Sequence, residues 1–392
     1  MGGWDEIVGQ ADAVAQLRRA AAARPEGDEH GAMTHAWLLT GPPGSGRSNL
    51  AYVFAAALLS GPDGIEPEVE TLVEARTHPD LVTLSTEGVL ITIAQARAVV
   101  QRAALAPSTA RYRVVVVEDA DRMAERTSNA LLKALEEPPP ETVWVLCAPS
   151  EADLLPTIRS RVRTVNLQVP DPDDVARLLV ERDGVAPEVA SRAAREAQSH
   201  IGMARRLATS EEARSRRAET LQIAMRVSTA SSAVLAAARF VEIATADADA
   251  LSAERDEAER AQALRQLGVE PGGTVPPQLR RQLKELEDAQ KQRAKRGMRD
   301  GVDRILVDLL SLYRDILITQ LGVGRELVNE AMRPTVQAAA DYLERAAVIE
   351  VLDQIRVARE RIEANVPPLL ALEAMLVSAA RAAQRRAARP RA

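Results

Sequence analysis

The sequence predicts an α/β domain built on a parallel sheet, followed by a long region that is helical almost throughout. Up to about residue 165, short apolar or β-branched runs alternate with helical patterns, and beyond Glu211 the helical spacing continues with few breaks. Composition agrees: 46% of the 392 residues are apolar but only 2% are aromatic, as suits an alanine- and leucine-rich helical protein. This length supplies core enough for two or three domains.

The strand candidates are AWLLT (36–40), DLVTLS (80–85), RVVVVED (113–119), TVWVLCA (142–148) and TVNLQ (164–168). Each is a run of four or five apolar or β-branched residues near a helical pattern, which suggests strands buried on both faces of a parallel sheet, joined by right-handed crossovers. From Pro170 to about Ser210 short helices follow: DPDD (171–174) supplies an N-cap and an acidic first turn, VARLLVERDG ends at Gly184, and PEVASRAAREAQ comes next. Farther on, Glu254 to Asp300 is charged with mixed signs and interrupted by GVEPGGTVPP (268–277), which predicts two solvated helices joined by a turn. The final RAAQRRAARPRA is basic and is expected to fray.

The net charge of −6 argues against a chain that coats nucleic acid as a whole, but leaves room for a local basic face. A single cysteine, Cys147, excludes an internal disulfide. The apolar runs are far shorter than the roughly 20 residues of a membrane span, and no signal peptide opens the chain, so a cytoplasmic location without membrane partners is expected.

Gly41-Pro42-Pro43-Gly44-Ser45-Gly46-Arg47-Ser48 is a phosphate-binding loop between a strand and a helix. Such loops aim backbone N–H groups and the positive end of the helix at a phosphate. The usual lysine is Arg47 here, and a long planar fork does not replace a compact charge. The loop therefore reads as able to hold nucleotide and poorly suited to cleaving it. A second motif, VVVVEDAD (114–121), ends a hydrophobic strand in two acids, as nucleotide hydrolases do to hold Mg²⁺ and place water. The usual order is Asp then Glu, whereas Glu118 precedes Asp119 here. Exchanging the two lengths moves each carboxylate by about a bond, and a misplacement of about 1 Å can cost about a hundredfold. The acids could merely solvate the strand end, but beside the loop a modified nucleotide site is the better reading.

Thr127 to Val162, TSNALLKALEEPPPETVWVLCAPSEADLLPTIRSRV, adds a family resemblance together with WDEIVGQADAVAQLRRA near the N-terminus, the loop and HPD at His78. These stretches resemble the bacterial sliding-clamp loaders, the delta-prime branch of the DNA polymerase III assembly above all. Specific motifs cover about the first 210 residues, including NALLKALEEPP (Asn129 to Pro139) and Ser160-Arg161-Val162 in place of the family's Ser-Arg-Cys. The resemblance implies an AAA+ nucleotide-binding-like domain over 1–167, a helical lid over 168–212 and a helical collar over 213–392, with a charged insertion at about 250–300. It implies a hetero-oligomeric ring with gamma/tau and delta subunits, acting on the sliding clamp and primed DNA. It also implies ATP or ADP with Mg as the nucleotide, and Arg161 as an arginine finger offered to a neighbouring subunit's nucleotide.

The departures matter as much. Residues 60–110 lack the four cysteines of the family's zinc module, so no zinc is expected, and His78 is expected to be a turn histidine. Ala148 and Pro149 stand where active members carry a γ-phosphate-sensing threonine. Gly202 stands near the lid's sensing arginine, while Arg205 and Arg206 read as a solvated face. Together these changes imply a largely non-hydrolysing subunit that supplies Arg161 in trans; the alternative is an ATP-hydrolysing gamma/tau-like subunit. Arg161 has Arg159 and Arg163 as neighbours, and the motif match favours the finger over a plain surface charge. Arg126 and Lys133, read as near the start of the signature helix, could face DNA, but a solvated face is slightly favoured. The charged insertion could likewise dock a partner, with a solubilising protrusion slightly favoured.

Overall fold

The structure, a computed structural model, describes residues 3–23, 31–86, 90–266 and 280–384. It forms two compact units, Met1–Thr209 and Ser210–Ala392. The expected turn at 268–277 and the last eight residues of the basic C-terminus lie outside the described residues.

The first unit contains, in chain order, α1 (Ala11–Ala22), β1 (Ala36–Thr40), α2 (Arg47–Ser60), α3 (Pro67–Glu74), β2 (Leu81–Leu84), α4 (Ile93–Ala103), β3 (Arg113–Val117) and α5 (Glu125–Glu136). There follow β4 (Thr142–Ala148), α6 (Pro156–Arg159), β5 (Arg163–Asn166), α7 (Pro172–Asp183), α8 (Pro187–Glu196) and α9 (Ile201–Thr209). All five expected strands are present. They pair in parallel in the order β2-β3-β4-β1-β5. This is the α/β architecture expected of an AAA+ domain.

The alternation of side chains along each strand divides the core. Trp37, Leu39, Val114, Val116, Val145 and Cys147 share one cluster with residues of α1 and α2. Ala36, Leu38, Val115, Val117, Trp144 and Leu146 share the other with residues of α4 and α5. Helices therefore cover both faces, which is why β1, β3 and β4 are buried at every position. The cap signals act locally as read: Asp171 accepts the N–H of Asp173 at 2.9 Å, and Gly184 ends α7 in the left-handed conformation at φ 65°.

The HPD turn is tightly built. His78 is buried, and its Nδ1 accepts the Asp80 N–H at 3.1 Å, so it is a turn histidine as expected. Burial lowers its pKa, opposed by Asp80. Asp80 is fully buried and accepts from the backbone N–H groups of Ser108, Thr109 and Ala110 at 2.6, 2.7 and 2.9 Å. It also accepts from the Ser108 and Thr109 hydroxyls and from Arg113 at 3.1 Å.

The second unit is α10 (Glu211–Arg226), α11 (Ala230–Gln266), α12 (Arg280–Leu321), α13 (Arg333–Tyr342), α14 (Arg345–Glu363) and α15 (Pro368–Gln384). Phe240, Leu306, Leu312, Ile316, Val348, Ile355 and Leu372 centre its core. The described residues of the charged stretch, 254–266 and 280–300, are helical as expected, and they form the distal parts of α11 and α12, whose other ends carry core residues. Where the two helices cross, Gly301 and Gly297 meet Ala244 and Ala248; a Cβ on Gly301 would lie 3.0 Å from the Ala244 Cβ. The first four residues of the basic C-terminal stretch complete α15.

Candidate functional site

Parallel pairing brings the sequence motifs to one edge of the sheet. Thr40 is in register with Ala148 on one side and with Asn166 on the other, so the loop Gly41–Ser48 leaves the sheet between β4 and β5. Val117 is in register with Leu146, which puts Glu118 and Asp119 one strand beyond, at the same ends. Ligands of open α/β sheets bind at such carboxyl ends.

The loop is pinned within unit 1. The Gly41 N–H donates to the Pro149 carbonyl at 3.1 Å, and the Ser45 N–H donates to the Pro42 carbonyl at 3.2 Å. Among the described residues the buried Ser45 hydroxyl has no hydrogen-bond partner, and it lies against Gly41. Gly46 adopts φ 89° as the N-cap of α2, a conformation that favours glycine. Arg47 does not project from the loop; its Nη1 donates back to the Gly41 carbonyl. Burial lowers the Arg47 pKa, opposed by nearby groups that include Asp121 and Asp119.

His200 covers Gly44. A Cβ on Gly44 would overlap the imidazole and would lie 2.7 Å from the His200 Cα. The Ile201 N–H donates to the Gly44 carbonyl at 3.3 Å, and the Ile201 Cδ1 would lie 3.7 Å from a Cβ on Gly46. The His200 Nδ1 accepts the Met203 N–H at 3.2 Å and so caps α9. Two left-handed residues, Gln198 at φ 51° and Ser199 at φ 63°, turn the chain into this position. Gly202 is the second residue of α9, and Arg205 pairs with Asp183 at 3.0 Å.

The two acids are engaged differently. Glu118 Oε1 accepts from the Tyr52 hydroxyl at 2.7 Å and pairs with Arg76 at 3.1 Å. Burial and then Glu118 raise the Tyr52 pKa well above its ordinary value. Asp119 accepts the Thr86 N–H at 3.3 Å. Burial raises the neighbouring Asp121, and burial pushes the Cys147 thiol up to about 12. Gly44 is thus covered by His200, Arg47 is tethered to Gly41, and Glu118 is held by Tyr52 and Arg76. Among the described residues no group of three His, Cys, Asp or Glu is arranged to hold a metal ion.

Arg161 lies just beyond α6, half-buried. Its guanidinium donates to the Thr157 carbonyl at 2.6 Å and pairs with Glu136 at 2.6 Å. Glu136 is the first acid of the LEEPP stretch and ends α5. No role for Glu136 follows from its position in the sequence alone; the LEEPP motif close to a Ser-Arg motif is the one signal that could have pointed to it. The three clustered arginines separate clearly. Arg159 is exposed, whereas Arg163 donates to the Ala32 carbonyl at 2.7 Å and stacks on Trp37 at 5.4 Å. Gln10 was also missed: its amide joins both backbone groups of Gln168, at 2.8 and 3.0 Å. Arg126 and Lys133 are both exposed on α5, but Lys133 lies in its last turn rather than near its start, because the helix begins at Glu125.

A family model described as DNA polymerase III, delta subunit, matches residues 12–171. The chain is 31% identical over 162 residues to the DNA polymerase III subunit delta' of Bacillus subtilis, covering 40% of this chain and 49% of that protein. It is 39% identical over 135 residues to the delta' subunit of Pseudomonas aeruginosa, covering 32% and 41%. With the gamma/tau subunit of Mycobacterium tuberculosis it shares 33% over 193 residues, covering 46% and 32%. The chain spans about half the length, or less, of these curated relatives. Over its N-terminal α/β portion, therefore, this chain is similar to the delta-prime subunits of bacterial DNA polymerase III.

Proposed function

We propose that the chain is a delta-prime-type clamp-loader subunit that hydrolyses little or no ATP itself and acts by assembly. In this reading it braces a ring of gamma/tau and delta subunits that opens the sliding clamp and places it on primed DNA. The observation that carries the proposal is a contrast within unit 1: its own phosphate loop is covered by His200 while Arg161 remains partly exposed. The second contribution is Arg161 in trans. Charge spreads over the γ-phosphoryl oxygens in the transition state, and a guanidinium already fixed beside them offsets it without reorganisation. Glu136 holds the guanidinium until the interface forms. The longer alignment with a gamma/tau subunit keeps an ATP-hydrolysing subunit as the second reading; Arg47 and the engaged Glu118 speak against it.

The test is a reconstituted loader carrying Arg161→Ala. Fingers supplied in trans are worth roughly 10³ to 10⁵ at one site, but one interface among several lowers the total severalfold, with clamp loading falling further. Arg159→Ala is the matched control; Arg163 is unsuited because of its contacts with Ala32 and Trp37. If Arg161→Ala and Arg159→Ala support equal DNA-stimulated hydrolysis and clamp loading, the finger role is wrong. If the chain fails to co-assemble with the loader subunits at all, the subunit assignment is wrong.

A further inference from the structure

The distal part of the α11–α12 pair separates its charges. Across the pair, basic groups of one helix meet acids of the other: Arg293 reaches Asp256 at 2.8 Å and also Glu259, and Arg260 reaches Glu287 at 3.1 Å. Gln290 of α12 adds a bond to the Asp256 carbonyl at 3.0 Å. Gln290, Arg293, Gly297 and Gly301 thereby mark the side of α12 that faces α11.

The opposite side is a basic row. Positions 281, 284, 288, 291, 295 and 299 recur every three or four residues and so line one face of a helix. They carry Arg281, Lys284, Asp288, Lys291, Lys295 and Arg299: five cations and one acid. All but the half-buried Arg299 are exposed. Lys291 lies 3.7 Å from Asp288, and Arg299 donates to Asn365 at 2.9 Å. Lys284 and Lys295 make no ion pair among the described residues. At 1.5 Å rise per residue the row is about 27 Å long. Its charges are spaced within a Debye length, about 8 Å at physiological salt, so their fields add. A chain of net charge −6 keeps this surface positive while its remainder repels polyanions.

We propose that this face of α12 docks the phosphate backbone of duplex DNA. The row contains no aromatic or aliphatic side chain. It thus lacks the buried anchor that a protein interface centres on and the stacking platform that holds single strands. Cations spaced along a straight rod suit regularly spaced phosphates, which require charge and no sequence. The inference does not rest on the clamp-loader reading, because it concerns the isolated chain.

The experiment measures binding of the full-length protein to a fluorescently labelled duplex of mixed sequence, by anisotropy, between 50 and 200 mM salt. Each phosphate contact contributes about 0.9 to the slope of log K against log salt. K284Q/K291Q/K295Q should reduce that slope by about 2 to 3 and weaken binding at 50 mM salt by at least about tenfold. Its circular dichroism should match the parent, since the three side chains are exposed. R239Q/R333Q/R356Q makes the same change in net charge elsewhere on this unit and should leave the slope unchanged. Equal affinity and slope for parent and lysine variant would overturn the proposal, as would equal losses in the two variants. Lost binding to labelled polyglutamate with unchanged binding to the duplex would overturn it too, assigning the face to an acidic protein.

Discussion

Replacing Asp80 by Asn should strongly destabilise unit 1. The carboxylate serves three backbone N–H groups, two hydroxyls and Arg113, divided between its two oxygens. An asparagine keeps the shape but can accept on one side only, and its NH₂ must then face donors on the other. Ser108 N–H and Arg113 lose their acceptor in one orientation; the Thr109 and Ala110 N–H groups lose theirs in the other. The hydroxyls can rotate away, but the backbone donors cannot. Each buried donor left unsatisfied costs about 1–3 kcal/mol, and removing one partner of a buried ion pair costs about 3–5 kcal/mol. The contributions overlap, because Arg113 also donates to the Leu105 and Ala106 carbonyls at 2.8 and 2.7 Å. A total near 3–5 kcal/mol is therefore expected, a large share of a domain's usual 5–15 kcal/mol.

The assay is urea unfolding followed by tryptophan fluorescence. Trp4, Trp37 and Trp144 are the chain's only tryptophans and all lie in unit 1, so the signal reports this unit alone. With an m-value of about 1–3 kcal/mol/M, the midpoint should fall by about 1 M or more. The pH dependence has a definite sign. Burial by itself would raise the Asp80 pKa, but the N–H groups of Ala110, Thr109 and Ser108 and the Ser108 hydroxyl outweigh it and hold the pKa below the ordinary value. A depressed folded pKa contributes stability that is present above the unfolded value of about 3.9 and lost as pH falls below it. The gap between parent and variant should be full at pH 7 and narrow below about pH 4. A gap under about 0.5 kcal/mol, the usual range for surface substitutions, would refute the reasoning; so would one equally large at pH 3 and pH 7.

Steady-state phosphate release by the isolated chain should be negligible, and Arg47→Lys should not restore it, because His200 still covers Gly44 and Tyr52 and Arg76 still hold Glu118. Turnover of about one per second, the low end for kinases, abolished by Arg47→Ala would show that the site works. Glu136→Gln should change the stability of the isolated chain by under about 1 kcal/mol, the usual worth of a partly exposed pair. In the assembled loader it should lower hydrolysis less than Arg161→Ala does; a loader indifferent to Glu136→Gln but crippled by Arg161→Ala would mean that the carboxylate does not position the guanidinium. Gly301→Leu should push α11 and α12 apart and cost about 1–3 kcal/mol by overpacking, read as a lower thermal midpoint of the helical unit by circular dichroism. An unchanged midpoint would mean that the crossing yields at no cost.

The sequence by itself determined the elements and their fold class. Five apolar runs became five parallel strands, and Asp171 and Gly184 bounded α7, because periodicity and cap chemistry act over a few residues and need no distant partner. The phosphate loop, the inverted Glu118–Asp119 order and the Ser160-Arg161 motif were legible for the same reason: each is a contiguous string. What those residues touch was decided only by tertiary structure. His200 lies 156 positions from Gly44, and no local pattern announces that its ring will cover the loop. Glu118 was expected among the nucleotide ligands, yet Tyr52 and Arg76, from α2 and the turn after α3, hold its carboxylate. Arg161 and Arg163 look alike in sequence and differ once folded, one paired with Glu136 and the other stacked on Trp37. The charged stretch at 254–300 read as a solvated hairpin because its composition is mixed. Only pairing α11 with α12 sorts those charges into arginines matched with acids across the pair and an outer, mostly basic row. Side-chain partners of this kind are set by long-range packing, which sequence spacing does not encode.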